Sequence, residues 1–555
     1  MSIRTHRRDL ALCLALLLLA GPARAELKLP NIFGDHMVLQ RDKPVGVWGW
    51  ASPGERVTVR FAGQSPRAVA DNKGRWSVKL KPLVASFDGR DLLVEAPGGK
   101  RALKDVLVGE VWLCGGQSNM EFSLRASRDA DVEVPSANDP AVRFIRLPHV
   151  ARITPQEDFP VEAPSRPEGH WRPATREQAE NCTAVGYYFA RRLRRRLGVP
   201  VGLIDTSWGG TMAQHWVPKE KLAPIPEMAP YIEDFNGKLK AWANGGGEQG
   251  AQRRYEAAVK AWEVQRAAAR AKGEREPRRP SSRAYTDPAT KHQPGGMFNG
   301  MIAPLAPMAI RGVLFYQGEN NSFTVGWKPF PKTFPAVIAS WREAFGDKDL
   351  PFGIIQIAGW STRRSMTYDM NHHTNIVREI QFLTWRRTPS TGLIVTFDTN
   401  SNRSIHPGRK LPVGERSARW ALSTVYGVKR WGSDQPLEWR GPVYEAMEVV
   451  KGKAVVSFED GTARGLRLER DDECGFYIAG KDREFHHARA RTVGDNRLEV
   501  WSDDVPEPVA VRYGWSNLPA GGLMNGRELP AYPFRTDTWP LVPHQSTGAY
   551  QVDAK

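Results

Sequence analysis

The feature that most constrains the fold is an apolar run that ends at two glycines and a serine. Residues 106–113 are rich in β-branched and aliphatic side chains, as a buried strand requires, and Gly115 and Gly116 permit a sharp turn before Ser118. Open α/β sheets bind ligands at the carboxyl ends of their strands. The run therefore predicts a buried strand that delivers Ser118 to such an edge, although the same residues also fit a plain turn with an N-cap serine.

The amino terminus has the pattern of a secretory signal peptide over residues 1–25. Three arginines precede the apolar run at 10–20, and Ala23-Arg24-Ala25 has the small-x-small form of a cleavage site. No later stretch approaches the ~20 apolar residues of a membrane-spanning helix. We therefore expect an exported bacterial protein, periplasmic or secreted, with no membrane segment after cleavage.

Charge and cysteine content exclude other classes of function. The net charge is +17, but the basic residues are concentrated at 191–196 and 253–283, and no nucleic-acid-binding motif accompanies them. We therefore expect no nucleic-acid partner. After signal cleavage three cysteines remain, and no pair has the spacing of a metal site, so no metal is predicted.

The 555 residues divide by pattern into three regions, as the length leads one to expect. Short alternating strands and turns over 26–105 predict a β-sandwich. Strands alternating with helices over 106–430 predict a mostly parallel α/β sheet, interrupted at about 235–291 by a charged surface insertion, or alternatively a rim over the site. Strands return over 431–545, as a β region that packs alone or completes the first sandwich.

Polar or glycine residues follow four of the predicted strands, at Ser118, 209–210, 317–321 and 398–406. A parallel sheet brings such strand ends to one edge, so these residues are expected to share a crevice. Serine is a weak nucleophile at neutral pH and needs an adjacent base, which His406 can supply.

A tetrahedral intermediate also needs hydrogen-bond donors directed at its oxyanion. The candidate donors are the amide of Ser118, an amide of Gly209 or Gly210, and the side chain of Gln317 or Asn320. Trp208 adjoins the two glycines and is the tryptophan with the best claim to line the crevice.

Four short blocks in this order carry a family resemblance: Gly-Gln-Ser-Asn-Met, Trp-Gly-Gly-Thr, Tyr-Gln-Gly-Glu-Asn and Ile-His-Pro, at 116–120, 208–211, 316–320 and 405–407. They resemble the blocks of SGNH hydrolases, specifically the sialate O-acetylesterase family with its related bacterial hemicellulose acetylesterases. Residues near both ends of the chain, at 33–41, 510–515 and 529–535, are similar to that family as well.

The resemblance implies an α/β SGNH-hydrolase (flavodoxin-like) three-layer domain flanked by N- and C-terminal β-sandwich regions. It implies Ser118 as nucleophile and His406 as general base and then acid. The implied oxyanion donors are the Ser118 amide, Gly210 and Gln317; Asn320 competes with Gln317, which we prefer. Glu319 is expected to orient this loop.

The sequence departs from the family before the histidine. Members often have Asp-Ile-His, whereas here Arg403 and Ser404 precede Ile405-His406. Asp398, at the end of a predicted strand, is the nearest candidate to orient the imidazole; a backbone carbonyl or Ser404 is the alternative.

We therefore predict a secreted serine esterase that removes O-acetyl groups from carbohydrates through an acetyl-serine. This mechanism needs no metal and no organic cofactor. The expected substrate is sialic acid or a plant-wall polysaccharide such as xylan or xyloglucan. The alternative is a non-catalytic carbohydrate-binding or envelope protein on a degenerate SGNH scaffold, which the missing carboxylate favours.

Overall fold

The computed structural model describes residues 26–161, 168–281, 288–306, 308–323, 326–401, 403–469, 474–546 and 548–552. The signal peptide predicted over residues 1–25 lies outside the described residues. Within the described ranges, no helix is both long enough and apolar enough to cross a membrane.

The N-terminal region is built from short strands that form two sheets. They are β1 Val38–Gln40, β2 Val45–Trp50, β3 Arg56–Arg60, β4 Arg67–Val69, β5 Arg75–Leu80 and β6 Ser86–Ala96. β2 and β5 pair antiparallel, while β3 pairs with β4 and β6. Alternate residues of β5 are buried, and the apolar faces of both sheets belong to one hydrophobic core.

The central sheet has the order β13-β12-β11-β7-β10-β8-β9. Its strands are β7 Gly99–Gly116, β8 Asp139–Arg146, β9 Arg172–Ala174, β10 Val201–Asp205, β11 Gly312–Tyr316, β12 Phe352–Ile355 and β13 Thr391–Ile394. All pair in parallel except β9, which is antiparallel to β8, so the sheet is mixed. Every residue of β10, β11 and β12 is buried, as expected for strands covered on both faces.

β7 belongs to both the N-terminal region and the central sheet. Its first part pairs antiparallel with β6, and residues 107–109 pair in parallel with β1. Residues 110–116 pair in parallel with β10 and β11. The region boundary predicted between residues 105 and 106 therefore falls inside one continuous strand.

Helices cover both faces of the central sheet. They are α1 Ser118–Glu121, α2 Ala130–Ser136, α3 Ala184–Leu197, α4 Lys219–Leu222, α5 Ala229–Asn244, α6 Gly247–Ala271, α7 Phe330–Ala344, α8 Met366–Met370, α9 His373–Arg387 and α10 Leu411–Thr424. Trp112 and Cys114 of β7 pack in the core of α3 and α10. Val111 and Leu113 point the other way, into the core of α7 and α9. The predicted α/β class is confirmed.

The predicted insertion contains two consecutive helices, α5 and α6. Most α6 side chains are exposed, and only Gly250 and Ala251 are buried. Beyond these helices the chain returns toward the central sheet, where Nζ of Lys291 donates to the carbonyl oxygen of Gly209 at 3.4 Å. The end of the insertion thus reaches the strand ends, while its helices face solvent.

The C-terminal strands form three separate sheets rather than one sandwich. The strands are β14 Tyr444–Val450, β15 Lys453–Phe458, β16 Arg467–Leu468, β17 Phe476–Ala479, β18 Phe485–His487, β19 Arg489–Val493, β20 Arg497–Trp501, β21 Ala510–Tyr513, β22 Leu523–Met524 and β23 Phe534–Arg535. The sheet orders are β14-β15-β20-β19, β18-β17-β21-β23 and β16-β22. None of these described strands pairs with an N-terminal strand. They contact the α/β part instead, as in the Arg535–Glu379 ion pair at 2.8 Å.

Candidate active site

The serine side of the site is built by the end of β7. Gly116 has a φ of +122°, and a Cβ there would lie 2.2 Å from the carbonyl oxygen of Tyr316, so the turn requires glycine. The N–H of Gln117 donates to that same oxygen at 3.0 Å. Ser118 then begins α1, at the carboxyl edge of the parallel strands.

The histidine side is the irregular segment between β13 and α10. Nε2 of His406 lies 2.7 Å from Oγ of Ser118. Burial and the nearby Lys410 ammonium lower the pKa of His406, whereas Glu121 opposes them. The imidazole is therefore neutral at neutral pH and can accept the serine proton.

The structure does not bring Asp398 to the imidazole. Both carboxylate oxygens of Asp398 accept hydrogen bonds from the Arg416 guanidinium, at 2.7 and 2.6 Å. No hydrogen bond or ion pair joins Asp398 to His406, and no described residue accepts a hydrogen bond from Nδ1 of His406. Arg416 lies about one helical turn beyond the start of α10, the helix that follows His406. The carboxylate of Asp398 is therefore bonded to this helix rather than to the imidazole.

The two glycines after β10 lie beside the serine but differ in what their amides do. A Cβ on Gly209 would lie 3.2 Å from Cβ of Ser118. The N–H of Gly209 donates to Oε2 of Glu121 at 2.7 Å and is therefore engaged. The N–H groups of Gly210 and Ser118 have no acceptor among the described residues. Of the two glycines, Gly210 has the amide that can face a ligand.

The two competing side-chain donors are also distinguished. Gln317 is fully buried, and its Nε2 donates to Oε1 of Gln117 at 2.7 Å and to the carbonyl oxygen of Thr211 at 2.8 Å. A carboxamide has two N–H groups, so both are used. Nδ2 of Asn320 donates to the carbonyl oxygen of Gly210 at 2.6 Å, which leaves one N–H free. The preference for Gln317 over Asn320 thus finds no support in the hydrogen bonding.

Glu319 is buried directly behind this loop. Its Oε1 accepts a hydrogen bond from Nδ2 of Asn119 at 2.5 Å, so it joins the loop after β11 to the turn of the serine. Burial raises the pKa of Glu319, against the opposing effects of hydrogen bonds and the Lys410 charge.

Trp208 forms one wall beside the glycines. Its ring stacks on the ring of His149, with centroids 4.6 Å apart and planes 6° apart. Nε2 of His149 lies 3.2 Å from Oε1 of Glu121, which also accepts from Arg146 at 2.7 Å. The wall is therefore an aromatic surface backed by charged groups.

Four residues of this site were not predicted from the sequence: Asn119, Glu121, His149 and Lys410. Asn119 and Glu121 follow Ser118 directly, and their place in the first helical turn after a nucleophile is a usable signal. His149 and Lys410 lie outside every block, and nothing in the sequence marks them. Within the described ranges, no group of three or more His, Cys, Asp or Glu residues is placed to hold a metal ion.

The fold and site together define a class. A serine hydroxyl bonded to a neutral imidazole, beside unengaged N–H groups at the edge of an α/β sheet, is typical of enzymes that cleave carboxylic esters. The protein is a carboxylic ester hydrolase, and comparison with known proteins supports the same class.

Those comparisons also give the family. The family described as a carbohydrate esterase, sialic acid-specific acetylesterase, matches residues 108–267. Sialate O-acetylesterase of Homo sapiens is 26% identical over 548 residues, with 92% of each chain covered, and that of Mus musculus is 26% identical over 94% of this chain and 97% of its own. The crystal structure of a novel carbohydrate acetylesterase from Xanthomonas citri is 34% identical, with a TM-score of 0.74, and covers 92% of this chain and 100% of that one. The chain belongs to the sialate O-acetylesterase family of carbohydrate esterases.

Proposed function

We propose that this protein is an exported serine esterase of the SGNH type that removes O-acetyl groups from carbohydrates through an acetyl-serine intermediate. The observation that supports this most directly is the 2.7 Å contact between Oγ of Ser118 and Nε2 of His406. Such a contact is the geometry in which a neutral imidazole activates a serine hydroxyl.

In the first step, Oγ of Ser118 attacks the carbonyl carbon of the acetyl ester while His406 takes the hydroxyl proton. The tetrahedral intermediate then collapses, the bond to the sugar oxygen breaks, and His406 returns its proton to that oxygen. The products of this step are the free sugar hydroxyl and acetyl-Ser118.

The oxyanion of the intermediate receives hydrogen bonds from the Ser118 N–H, the Gly210 N–H and the remaining N–H of Asn320. This assignment follows from which donors are unengaged, and it replaces the sequence-based preference for Gln317. Loss of one such donor typically lowers kcat by ~10²-fold.

In the second step, water enters where the sugar left. His406 takes one proton from the water, the resulting hydroxide attacks the acetyl carbon, and the ester bond to Ser118 breaks. Oγ of Ser118 recovers its proton from His406, and acetate leaves.

The proposed substrate is an acetylated carbohydrate, either a sialic acid or a plant-wall polysaccharide. The stacked rings of Trp208 and His149 next to Gly209 are suited to the apolar face of a sugar. The named relatives, sialate and carbohydrate acetylesterases, fit the same substrate class.

We also propose that residues 26–105, 106–430 and 431–545 form the three regions of the exported chain.

The test is acetate release from a panel of acetylated sialic acids, xylan and xyloglucan by wild type and Ser118→Ala. We expect kcat/KM to fall at least ~10³-fold in Ser118→Ala. Ser136→Ala is the control, because Ser136 is exposed at the end of α2 and bonds only to backbone carbonyls of its own helix. Comparable activity in Ser118→Ala and wild type would refute the proposed mechanism.

A further inference from the structure

Three polar side chains lie buried beneath the turn of Ser118. Asn119, Glu319 and Lys410 expose 0%, 2% and 1% of their surfaces. They come from three segments that are distant in sequence: α1, the loop after β11, and the start of α10. Burying a glutamate and a lysine is costly unless their polar atoms are satisfied, so such a cluster needs a structural or functional reason.

One carboxamide connects the three. Nζ of Lys410 donates to Oδ1 of Asn119 at 2.5 Å, and Nδ2 of Asn119 donates to Oε1 of Glu319 at 2.5 Å. Lys410 and Glu319 make no direct ion pair, so the amide lies between the two ionisable groups. The amide oxygen accepts from Lys410 and the amide nitrogen donates to Glu319, which fixes the orientation of the amide.

The same amide holds the segment of the base. Nδ2 of Asn119 also donates, at 3.0 Å, to the carbonyl oxygen of Ile405, the residue before His406. Nζ of Lys410 is further enclosed by the rings of Phe122 and Tyr316, with centroids at 4.9 and 5.3 Å. Asn119 is thus bonded at two points to the segment that carries His406, at the carbonyl oxygen of Ile405 and at Nζ of Lys410.

We propose that Asn119 and Lys410 are positioning residues that fix His406 against Ser118 through the Asn119 carboxamide, in place of a carboxylate on the imidazole. The proposal rests on the function proposed above. Lys410 holds Oδ1 of Asn119, which directs both amide N–H groups toward Glu319 and Ile405. The carbonyl of Ile405 is thereby held in place, and so is the backbone of His406, the next residue.

Lys410 also acts on the imidazole through its charge. Burial lowers the pKa of Lys410 itself, so its ammonium is most fully charged on the acidic side of the pH profile. The charged groups that affect His406 are Lys410 at the start of α10 and Glu121 of α1; burial and Lys410 lower the pKa of His406, and Glu121 raises it. The base works when neutral, so its activity is lost as pH falls through its pKa. Removing the charge of Lys410 raises that pKa, and the acidic limb of the pH profile moves to higher pH.

The experiment measures kcat, KM and the pH profile of kcat/KM for wild type and Lys410→Met, which is similar in length but has neither charge nor donor. We expect kcat to fall ~10-fold to 100-fold with little change in KM, because a displaced base slows chemistry rather than binding. We also expect the acidic limb to move to higher pH. Lys43→Met is the control for the same substitution outside the site, since Lys43 bonds to Asp347 and Ile310 and should behave as wild type.

A second variant covers the case in which Lys410→Met fails to fold because it leaves Glu319 buried without the nearby positive charge. The double variant Lys410→Met/Glu319→Gln removes both charges and keeps an acceptor for Asn119. It should show the same fall in kcat and the same movement of the acidic limb. A folded variant with wild-type kcat, or one with reduced kcat and an unmoved acidic limb, would overturn the proposal.

Fluorophosphonate labelling separates this proposal from the one on which it rests. If wild type is not labelled at Ser118, the proposed function fails whatever Lys410 does. If wild type is labelled at Ser118 and Lys410→Met is labelled at the same rate across the pH range, only the positioning role fails. If Lys410→Met is labelled more slowly than wild type, and its labelling rate falls off at a higher pH on the acidic side, both proposals are supported.

Discussion

The two halves of the Ser118–His406 pair are held in place by different means. Ser118 follows β7, whose last residues bond through their backbone to β10 on one side and β11 on the other. The segment of His406 is instead held mainly by side chains, those of Ser401, Ser404 and Asn119, with a backbone hydrogen bond from Arg128 to Gly408 beyond it. The sheet therefore fixes the nucleophile by repeating backbone geometry, whereas the base depends on individual side chains. Variants on each side test this difference.

The largest effect is expected where the sheet ends, at Gly116. Gly116→Ala combines a left-handed backbone with a Cβ 2.2 Å from a carbonyl oxygen, and should lower the free energy of unfolding by more than ~3 kcal/mol with loss of activity. Gly427→Ala is the control: Gly427 has a φ of +60° but no atom near its Cβ position, so we expect only ~1 kcal/mol. Equal denaturation midpoints for the two variants would contradict the close approach of residue 116 to the carbonyl oxygen of Tyr316.

On the histidine side, removal of the base should affect catalysis without affecting the fold. His406→Ala should lower kcat by ~10³-fold, with KM and the melting temperature nearly unchanged, because the imidazole acts in the transition state and its hydrogen bond is to Ser118. His36→Asn serves for comparison, since His36 is half exposed in the N-terminal region and asparagine tolerates its positive φ. Activity of His406→Ala within tenfold of wild type would remove His406 from the mechanism.

Variants of the two candidate oxyanion donors, Asn320 and Gln317, can distinguish a loss of catalysis from a loss of stability. Asn320→Ala should lower kcat by ~10²-fold with little loss of stability. Gln317→Ala should mainly destabilise, by ~2 kcal/mol or more, because it removes two buried hydrogen bonds, to Gln117 and to the carbonyl oxygen of Thr211, and leaves a cavity. Kinetics and thermal denaturation of both variants decide the assignment, and the reverse pattern would restore Gln317 as the donor.

The smallest effect on activity is expected at Asp398. Asp398→Asn should change kcat/KM by less than ~3-fold and leave the pH profile unchanged, because its carboxylate bonds to Arg416 rather than to His406. Loss of that partly buried ion pair should cost ~1 kcal/mol in unfolding experiments. A hundredfold fall in kcat would instead make Asp398 the orienting carboxylate.

Much of the fold could be predicted because buried parallel strands are short apolar runs. The strands expected at 199–204 and 352–357 are Val201–Asp205 and Phe352–Ile355. The extension of β7 back to Gly99 was not predicted, because that half of the strand is largely exposed and contains charged residues. A polar strand with an exposed face has no apolar run to mark it.

The site shows where sequence reasoning stops. The strand-end argument places Ser118 and His406 in one crevice, and the structure has them in contact. It does not reveal which amides are already engaged, so Gln317 and Asn320 look equivalent in sequence. Nor does it reveal that Arg416 takes the carboxylate of Asp398, since that contact depends on how α10 packs.

The continuity of β7 has a consequence for how this protein can be divided or recombined. The strand that ends at Ser118 begins at Gly99, among the antiparallel strands of the N-terminal region. A cut at residue 105 would leave the nucleophile's strand without the partners that β1 and β6 provide. We therefore expect that the N-terminal β region does not fold as a separate unit, and that a chimera with a relative must exchange it together with the strand of the nucleophile.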